Sequence, residues 1–288
     1  MSRFVTARSL DGALDEVSHG ARIIAGGTDF MIHVRRERLF GDEPSHAFVD
    51  VSRLEELNRL DLSSDLPFVG AAVTFRRLET SPEVRSLYGA LAQCAATVGS
   101  VQIRTLATIG GNAANASPAA DGVTALVALG ARAKIVSPEG TRTERLEELI
   151  TGPNRTNLSP EEIIVGFELD RSVRGTAQVF RKIGRRQAVV IARLNVAVCL
   201  GRDLSDPRVV VGSCFPSPRR LSAVEALLAS GSPGPTLWKE AGLVASKEFV
   251  MVCGWRASAS YKTPVTAALV THALESAWEQ VEVPDDHR

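Results

Sequence analysis

The sequence predicts an α+β chain in two parts, and three observations predict it. Its 288 residues are long for one compact core and suit two domains, or one large α/β unit with an appendage. The first half alternates helix-like and strand-like stretches around two glycine pairs, Gly26-Gly27 and Gly110-Gly111. Beyond a polar stretch at 170–175, three strand-like stretches precede a helix, as in an antiparallel sheet with helices. That polar stretch divides the chain into units 1–172 and 173–288, the first itself divisible at about residue 58.

The elements follow in order. Residues 7–17 carry Leu10, Ala13, Leu14 and Val17 at helical spacing, and 21–25 read as a short buried strand. Gly26-Gly27-Thr28-Asp29 turns the chain, 30–36 resume a helical pattern, and 48–51 form a strand that closes a small βαβ-like unit. A strand over 67–74 and an apolar helix over 87–98 come next. Residues 104–112 form a second glycine turn, and 115–121 cap a helix that runs to about 129. Residues 133–137 are a strand entering the turn Pro138-Glu139-Gly140, and 162–169 alternate as one more. The charged run of Arg142, Glu144, Arg145, Glu147 and Glu148 suits a solvated helix face. After the boundary, 177–182, 189–200 and 209–214 are strands, 221–229 a helix, 231–235 a loop, 266–281 the closing helix and 282–288 a polar tail.

Composition excludes several classes of function. Hydrophobic residues are 44% and charged residues 23%, ordinary for a globular protein. Lys plus Arg, 33, balances Asp plus Glu, 33, so no overall field draws the chain to nucleic acid or an anionic membrane, and aromatics at 5% supply few stacking platforms. Cys94, Cys199, Cys214 and Cys253 are far apart and form no C-x-x-C, so neither a zinc knuckle nor an iron–sulfur site is expected. Met1 to Val5 lack an apolar signal core, and the apolar stretch 188–200 is broken by Arg193 and Asn195. The expectation is a cytoplasmic protein with reduced thiols and no metal.

Two adjacent glycines between a strand and a helix let backbone N–H groups approach a phosphate, aided by about half a positive charge at the helix N-terminus. Gly26-Gly27 alone is better read as a tight connection. With Gly110-Gly111-Asn112 repeating the device, each pair could cradle one phosphate of a pyrophosphate. Neither has the G-x-G-x-x-G or G-x-x-x-x-G-K spacing, which argues against a Rossmann NAD site and a P-loop ATPase. Asp29 beside a phosphate would oppose it, so it caps the helix or meets a sugar hydroxyl. His19, His33, His46, His272 and His287 are scattered as surface or packing histidines, and Cys214 reads as a buried inert thiol. No acid–base or nucleophilic constellation emerges, so no catalytic side chain is assigned.

Ala25-Gly26-Gly27-Thr28-Asp29, the block from Val101 through Arg104-Thr105-Leu106-Ala107-Thr108-Ile109-Gly110-Gly111-Asn112, and Ala116-Ser117-Pro118-Ala119-Ala120-Asp121 together resemble the FAD-binding medium subunit of molybdenum hydroxylases. That group includes the carbon monoxide, xanthine, nicotinate and quinoline dehydrogenases. The similarity continues through 182–193, Gly212-Ser213-Cys214, Arg219-Arg220, Trp255-Arg256-Ala257-Ser258 and Tyr261-Lys262.

The resemblance implies a two-part FAD-binding domain of the vanillyl-alcohol-oxidase type followed by a small α+β C-terminal domain. It implies non-covalent FAD with its diphosphate against Ile24, Ala25, Gly26, Gly27, Thr28, Asp29, Thr108, Ile109, Gly110, Gly111 and Asn112. Asp121 would contact a polar part of FAD, accepting from ribose or ribityl hydroxyls. Arg193 matches a basic position at the flavin in xanthine oxidoreductases, although 185–190 depart from their acidic pattern; it is a flavin-tuning cation or an interface arginine. Ile164 and Val98 match apolar positions beside the cofactor, or are core. The implied partners are a [2Fe–2S] small subunit and a molybdopterin large subunit, in a heterotrimer or its dimer, with electrons leaving to NAD⁺, oxygen or another small acceptor. Two other readings are a self-contained reductase resembling UDP-N-acetylenolpyruvylglucosamine reductase and a flavin-free assembly subunit.

Overall fold

The computed structural model describes residues 3–39, 47–186, 189–255 and 257–282. Three short parallel strands open the chain: Ala47–Asp50 lies between Arg3–Thr6 and Arg22–Ile24. Helix Leu10–Ser18 is capped by Ser9, whose hydroxyl accepts from Gly12 N, and it buries Ala13, Leu14 and Val17. The strand Arg3–Thr6 has no counterpart in the pattern read above. It is a four-residue edge strand with Phe4 exposed, so the apolar signal of burial is missing.

Next comes a five-stranded antiparallel sheet, in order Leu60–Asp61, Phe68–Gly70, Ile163–Glu168, Arg132–Ser137 and Gly140–Arg145. The charged run from Arg142 is therefore not a helix face. Residues 140–145 alternate as an edge strand against 132–137, and only Leu146–Leu149 turns helical. The Arg142 guanidinium grips Glu162 through both carboxylate oxygens, at 2.6 and 2.9 Å. Charge on an edge strand blocks further pairing and fits a period of two as well as a helix.

Helices Phe75–Thr80, Gly89–Thr97, Val101–Leu106, Ile109–Asn115 and Asp121–Ala128 connect the strands; all but Val101–Leu106, whose Val101, Ile103 and Leu106 are exposed, share one core with this sheet. Arg104 is buried and forks onto Glu79, with Nε–Oε2 at 2.9 Å and Nη2–Oε1 at 3.1 Å, while Nη1 donates to Val98 O at 3.2 Å. The arginine thus fixes helix Val101–Leu106 and the bend before it. Its hydrogen bonds hold the Glu79 carboxyl below the usual value against the opposing effect of burial. A lowered carboxyl pKa stabilises above the ordinary glutamate value of about 4.3 and is lost as pH falls through the folded-state value. Glu79→Gln should therefore melt lower than wild type at pH 7, by about 1 kcal/mol, and the two curves should converge on acidification. A difference that persists at pH 3 would assign the cost to packing.

The chain then crosses 170–175 as a 3₁₀ turn, Arg171–Val173, into a four-stranded antiparallel sheet of Ala177–Ile183, Leu194–Leu200, Arg208–Gly212 and Arg219–Arg220. The segment is pinned: the buried Arg208 guanidinium donates to Asp170 Oδ2 at 2.6 Å and Ser172 Oγ at 3.1 Å. Alternation along these strands sends Phe180, Ala197, Cys199 and Val210 into the first core, and Val179, Val196, Val198, Val209 and Val211 into a second core against the C-terminal helices. Residues 189–193, expected to extend the second strand, leave the ladder, with Val189 at φ +50°.

Three helices close the chain, Ser222–Ser230, Pro235–Cys253 and Ala259–Glu282. The second is absent from the sequence reading because small residues interrupt its apolar stripe. Their purpose is close packing: a Cβ on Gly242 would lie 2.4 Å from Ala267 O of the last helix. That last helix begins seven residues before the expected start because Pro264, which reads as a helix stop, lies within it. The expected tail beyond 282 lies outside the described residues. No helix among the described residues is long and apolar enough to cross a membrane.

Candidate functional site

Between the small parallel sheet, the five-stranded sheet and the edge of the C-terminal sheet lies a cavity of about 760 Å³. That is within the range of roughly 300–1,000 Å³ for small-molecule sites. Of the residues proposed from sequence it gathers Ile24 to Asp29, Thr108, Gly110, Gly111, Asn112, Asp121, Ile164 and Val98 onto one wall system. Residues 26 and 111 are 85 positions apart in the chain, so only tertiary folding joins them.

The two glycine pairs work differently. Gly26 lies where a Cβ would be 1.8 Å from Leu106 O, so the first loop packs backbone to backbone against the second segment. Gly27 has φ +67°, a conformation that glycine adopts without strain. Among the described residues, the N–H groups of Gly26, Gly27, Thr28 and Asp29 donate to no protein acceptor. They are a row of donors at the cavity wall.

Gly110 and Gly111 do not form a turn, as the sequence suggests; they are the first turn of helix Ile109–Asn115. Their donors are engaged: Ile109 N with Val73 O at 3.0 Å, Gly110 N with Ala71 O at 2.8 Å, and Gly111 N with the Thr108 hydroxyl at 3.1 Å. What this pair supplies is proximity. A Cβ on Gly110 would meet Ala71 Cβ at 2.5 Å, whereas one on Gly111 would meet only Thr108 Oγ1, at 3.0 Å. Ile109 is wholly buried in the core, outside the cavity lining. Asn112 lines the cavity, and its Oδ1 is buried without a hydrogen-bond partner among the described residues.

Asp29 is exposed and accepts from Asn115 Nδ2 at 3.4 Å, which ties the two segments across the cavity mouth. Asp121, by contrast, is 6% exposed at the start of helix Asp121–Ala128. Its Oδ2 accepts from Lys182 Nζ at 2.5 Å and its Oδ1 from Asn195 Nδ2 at 2.7 Å. Burial lifts the carboxyl above the ordinary aspartate value, and Lys182 and Asn195 limit the rise. Lys182 Nζ also donates to Thr97 O at 3.1 Å, which leaves one of its three protons uncommitted beside the cavity. Nothing in the sequence around Lys182 marks it as a site residue. It stands in a strand of the second unit, and no spacing rule connects it with Asp121, 61 residues earlier.

Arg193 is not among the cavity-lining residues; its guanidinium lies over the Tyr261 ring at 5.0 Å and its backbone N–H donates to Ile183 O at 2.8 Å. Lys262, next to Tyr261, donates to Ser213 O at 2.6 Å. The Cys214 thiol is pushed up to about 12 by burial, which keeps it protonated and inert. His19 and His272 are exposed, near Asp15 and Glu275. The His33 side chain, His46, His287, Gln187, Ala188 and Arg256 lie outside the described residues.

Free loop donors, a buried carboxylate and an apolar wall along one cavity are the chemistry that an anionic nucleotide cofactor requires. The family profile "FAD binding domain in molybdopterin dehydrogenase" matches residues 1–170, and "CO dehydrogenase flavoprotein C-terminal domain" matches 178–277. The fold superimposes on carbon monoxide dehydrogenase from Hydrogenophaga pseudoflava with a TM-score of 0.86, at 22% identity, over 96% of this chain and 97% of that one. The putative xanthine dehydrogenase FAD-binding subunit of Escherichia coli K12 is 31% identical over 71% of this chain and 70% of its own length. The nicotinate dehydrogenase FAD-subunit of Eubacterium barkeri is 35% identical over 63% of this chain, a match that spans 61% of that subunit. The chain belongs to the FAD-binding medium subunits of the molybdenum hydroxylases, the oxidoreductase family of the xanthine, nicotinate and carbon monoxide dehydrogenases.

Proposed function

We propose that this chain holds one non-covalent FAD in the cavity and relays electrons. They arrive from the [2Fe–2S] clusters of a small partner subunit and leave to NAD⁺, oxygen or another acceptor. A molybdopterin large subunit in the same heterotrimer, or its dimer, oxidises a purine, another N-heterocycle or an aldehyde in the cytoplasm. FAD, when bound, supplies the redox chemistry.

The observation that carries this reading is the meeting of the free donors of Gly26 to Asp29 with Gly111 and Asn112 across one cavity. The donor row suits a diphosphate, and the unpartnered Asn112 Oδ1 suits an N–H of the cofactor. Asp121 accepts from a sugar or ribityl hydroxyl with its remaining lone pairs, and Ile164 and Val98 exclude water from the ring system. Units 1–172 and 173–288 share the work, the first holding the diphosphate and the second contributing Lys182 to the floor. Arg193, stacked on Tyr261, acts from outside the lining as a clamp on the loop that precedes it.

Purified chain, denatured to release its chromophore, should yield about one FAD per polypeptide with none left covalently attached. Folded protein that neither carries FAD nor binds it when supplied, alone or with its partners, would make this a flavin-free assembly subunit. Rapid NADPH oxidation by the isolated chain with an enolpyruvyl sugar nucleotide would make it a self-contained reductase.

A further inference from the structure

We infer that Asn195, backed by Thr124, is a positioning residue for Asp121: it fixes the plane of that carboxylate, so that FAD affinity depends on an amide lying outside the cavity lining. The inference rests on the reading that Asp121 accepts a hydrogen bond from FAD.

Asn195 is 0% exposed, on strand Leu194–Leu200, and is not a cavity-lining residue. An ionised carboxylate only accepts, so the Asn195 NH₂ must face Asp121 Oδ1, at 2.7 Å. Its carbonyl then faces the Thr124 hydroxyl at 3.0 Å, which must donate to it rather than to Ala120 O at 3.4 Å. The donors run in one direction, Thr124 to Asn195 to Asp121. Lys182 grips the other oxygen, and two donors at opposite oxygens fix a plane that one flexible lysine leaves free to rotate.

Space for the relay comes from Gly212, the register partner of Asn195 on the neighbouring strand. A Cβ there would stand 2.3 Å from Asn195 Oδ1 and 2.4 Å from Thr124 Oγ1. The glycine has φ outside the left-handed region, so its smallness rather than its flexibility is what the site uses.

The titratable groups facing Asp121 are Lys182, from the C-terminal sheet, and Cys94, from helix Gly89–Thr97, whose thiol burial and the Asp121 charge keep protonated. The Asn195 amide favours the ionised carboxylate, so its removal moves protonation of Asp121 to higher pH. FAD retention on acidification should fail earlier in its absence.

The test is FAD affinity of the full-length apoprotein from pH 5 to 8, for wild type, Asp121→Asn, Asn195→Leu, Thr124→Val and the double variant Asp121→Asn/Asn195→Leu. Asn195→Leu should weaken FAD on the order of tenfold, and Thr124→Val by less. The double variant should bind no more weakly than Asp121→Asn alone, and the acid midpoint of Asn195→Leu should lie above that of wild type. Additive losses, or an unmoved midpoint, in folded variants would reduce Asn195 to packing and leave Asp121 in place. Wild-type affinity in Asp121→Asn would overturn the underlying reading and this inference with it. If Asn195→Leu does not fold, Thr124→Val, which keeps the volume and removes only the hydroxyl, carries the same comparison.

Discussion

Gly26→Ala should cost about 3 kcal/mol of stability and about two decades of FAD affinity. The added carbon would stand 1.8 Å from Leu106 O and 2.5 Å from Leu106 C, with Ala107 Cα at 3.1 Å. These are backbone atoms, so no side-chain rotation relieves the overlap; the loop at 26–29 and the segment at 106–107 must separate. Separation takes the free donors of the first loop away from Gly111 and Asn112, so binding falls with packing. Gly111→Ala is the control for stability alone, because its Cβ meets only a hydroxyl at 3.0 Å and the helix tolerates alanine, so it should keep the wild-type Tm whatever it does to FAD. Calorimetric melting and FAD titration of the two variants provide the check. Equal Tm and equal affinity for Gly26→Ala and wild type would mean that the two segments are not held in contact.

Lys182→Met should destabilise the protein by about 3–5 kcal/mol at neutral pH, the range for removing one partner of a buried ion pair. The Lys182 and Asp121 side chains are 6% and 7% exposed, so the carboxylate left behind has little water to solvate it. Its pKa, already raised by burial, then rises further. The sign of the pH dependence follows. A carboxyl whose folded pKa lies above its unfolded value binds protons more tightly when folded, so the variant loses stability as pH rises through that interval and regains it on acidification. The deficit against wild type should therefore be smaller at pH 5 than at pH 8. Adding Asp121→Asn to Lys182→Met should restore most of the loss, since the unpaired charge is then gone. A double variant no more stable than Lys182→Met, or a deficit independent of pH, would show that Lys182 stabilises through its aliphatic stem.

Much of the fold is legible because local patterns here coincide with the tertiary solution. Leu10, Ala13, Leu14 and Val17 mark a helix that does bury Ala13, Leu14 and Val17, and the strand expected at 162–169 is Ile163–Glu168, a central strand whose residues 163–167 are all buried rather than alternately so. The antiparallel C-terminal sheet is likewise readable from its apolar runs. Where reading fails, packing has overruled pattern. Helix Pro235–Cys253 hides behind Gly242, which is small because another helix crosses it, and the last helix carries a proline that local rules treat as an end. Val189 and Ile191 look like strand residues but leave the ladder and line the cavity.

The candidate site divides in the same way. The motifs around Gly26-Gly27, Gly110-Gly111 and Asp121 stand in the sequence as short contiguous signals, and by resemblance they name the family and its flavin before any coordinate is known. The sequence by itself determined which residues have chemistry suited to a nucleotide cofactor. Only the tertiary structure decided that the first loop keeps its N–H donors free while the second spends them on Val73, Ala71 and Thr108, and that Lys182 and Asn195 hold Asp121 from another sheet. The reason is physical: whether a donor or a charge is available depends on partners separated by tens of residues, and neither composition nor spacing carries that information.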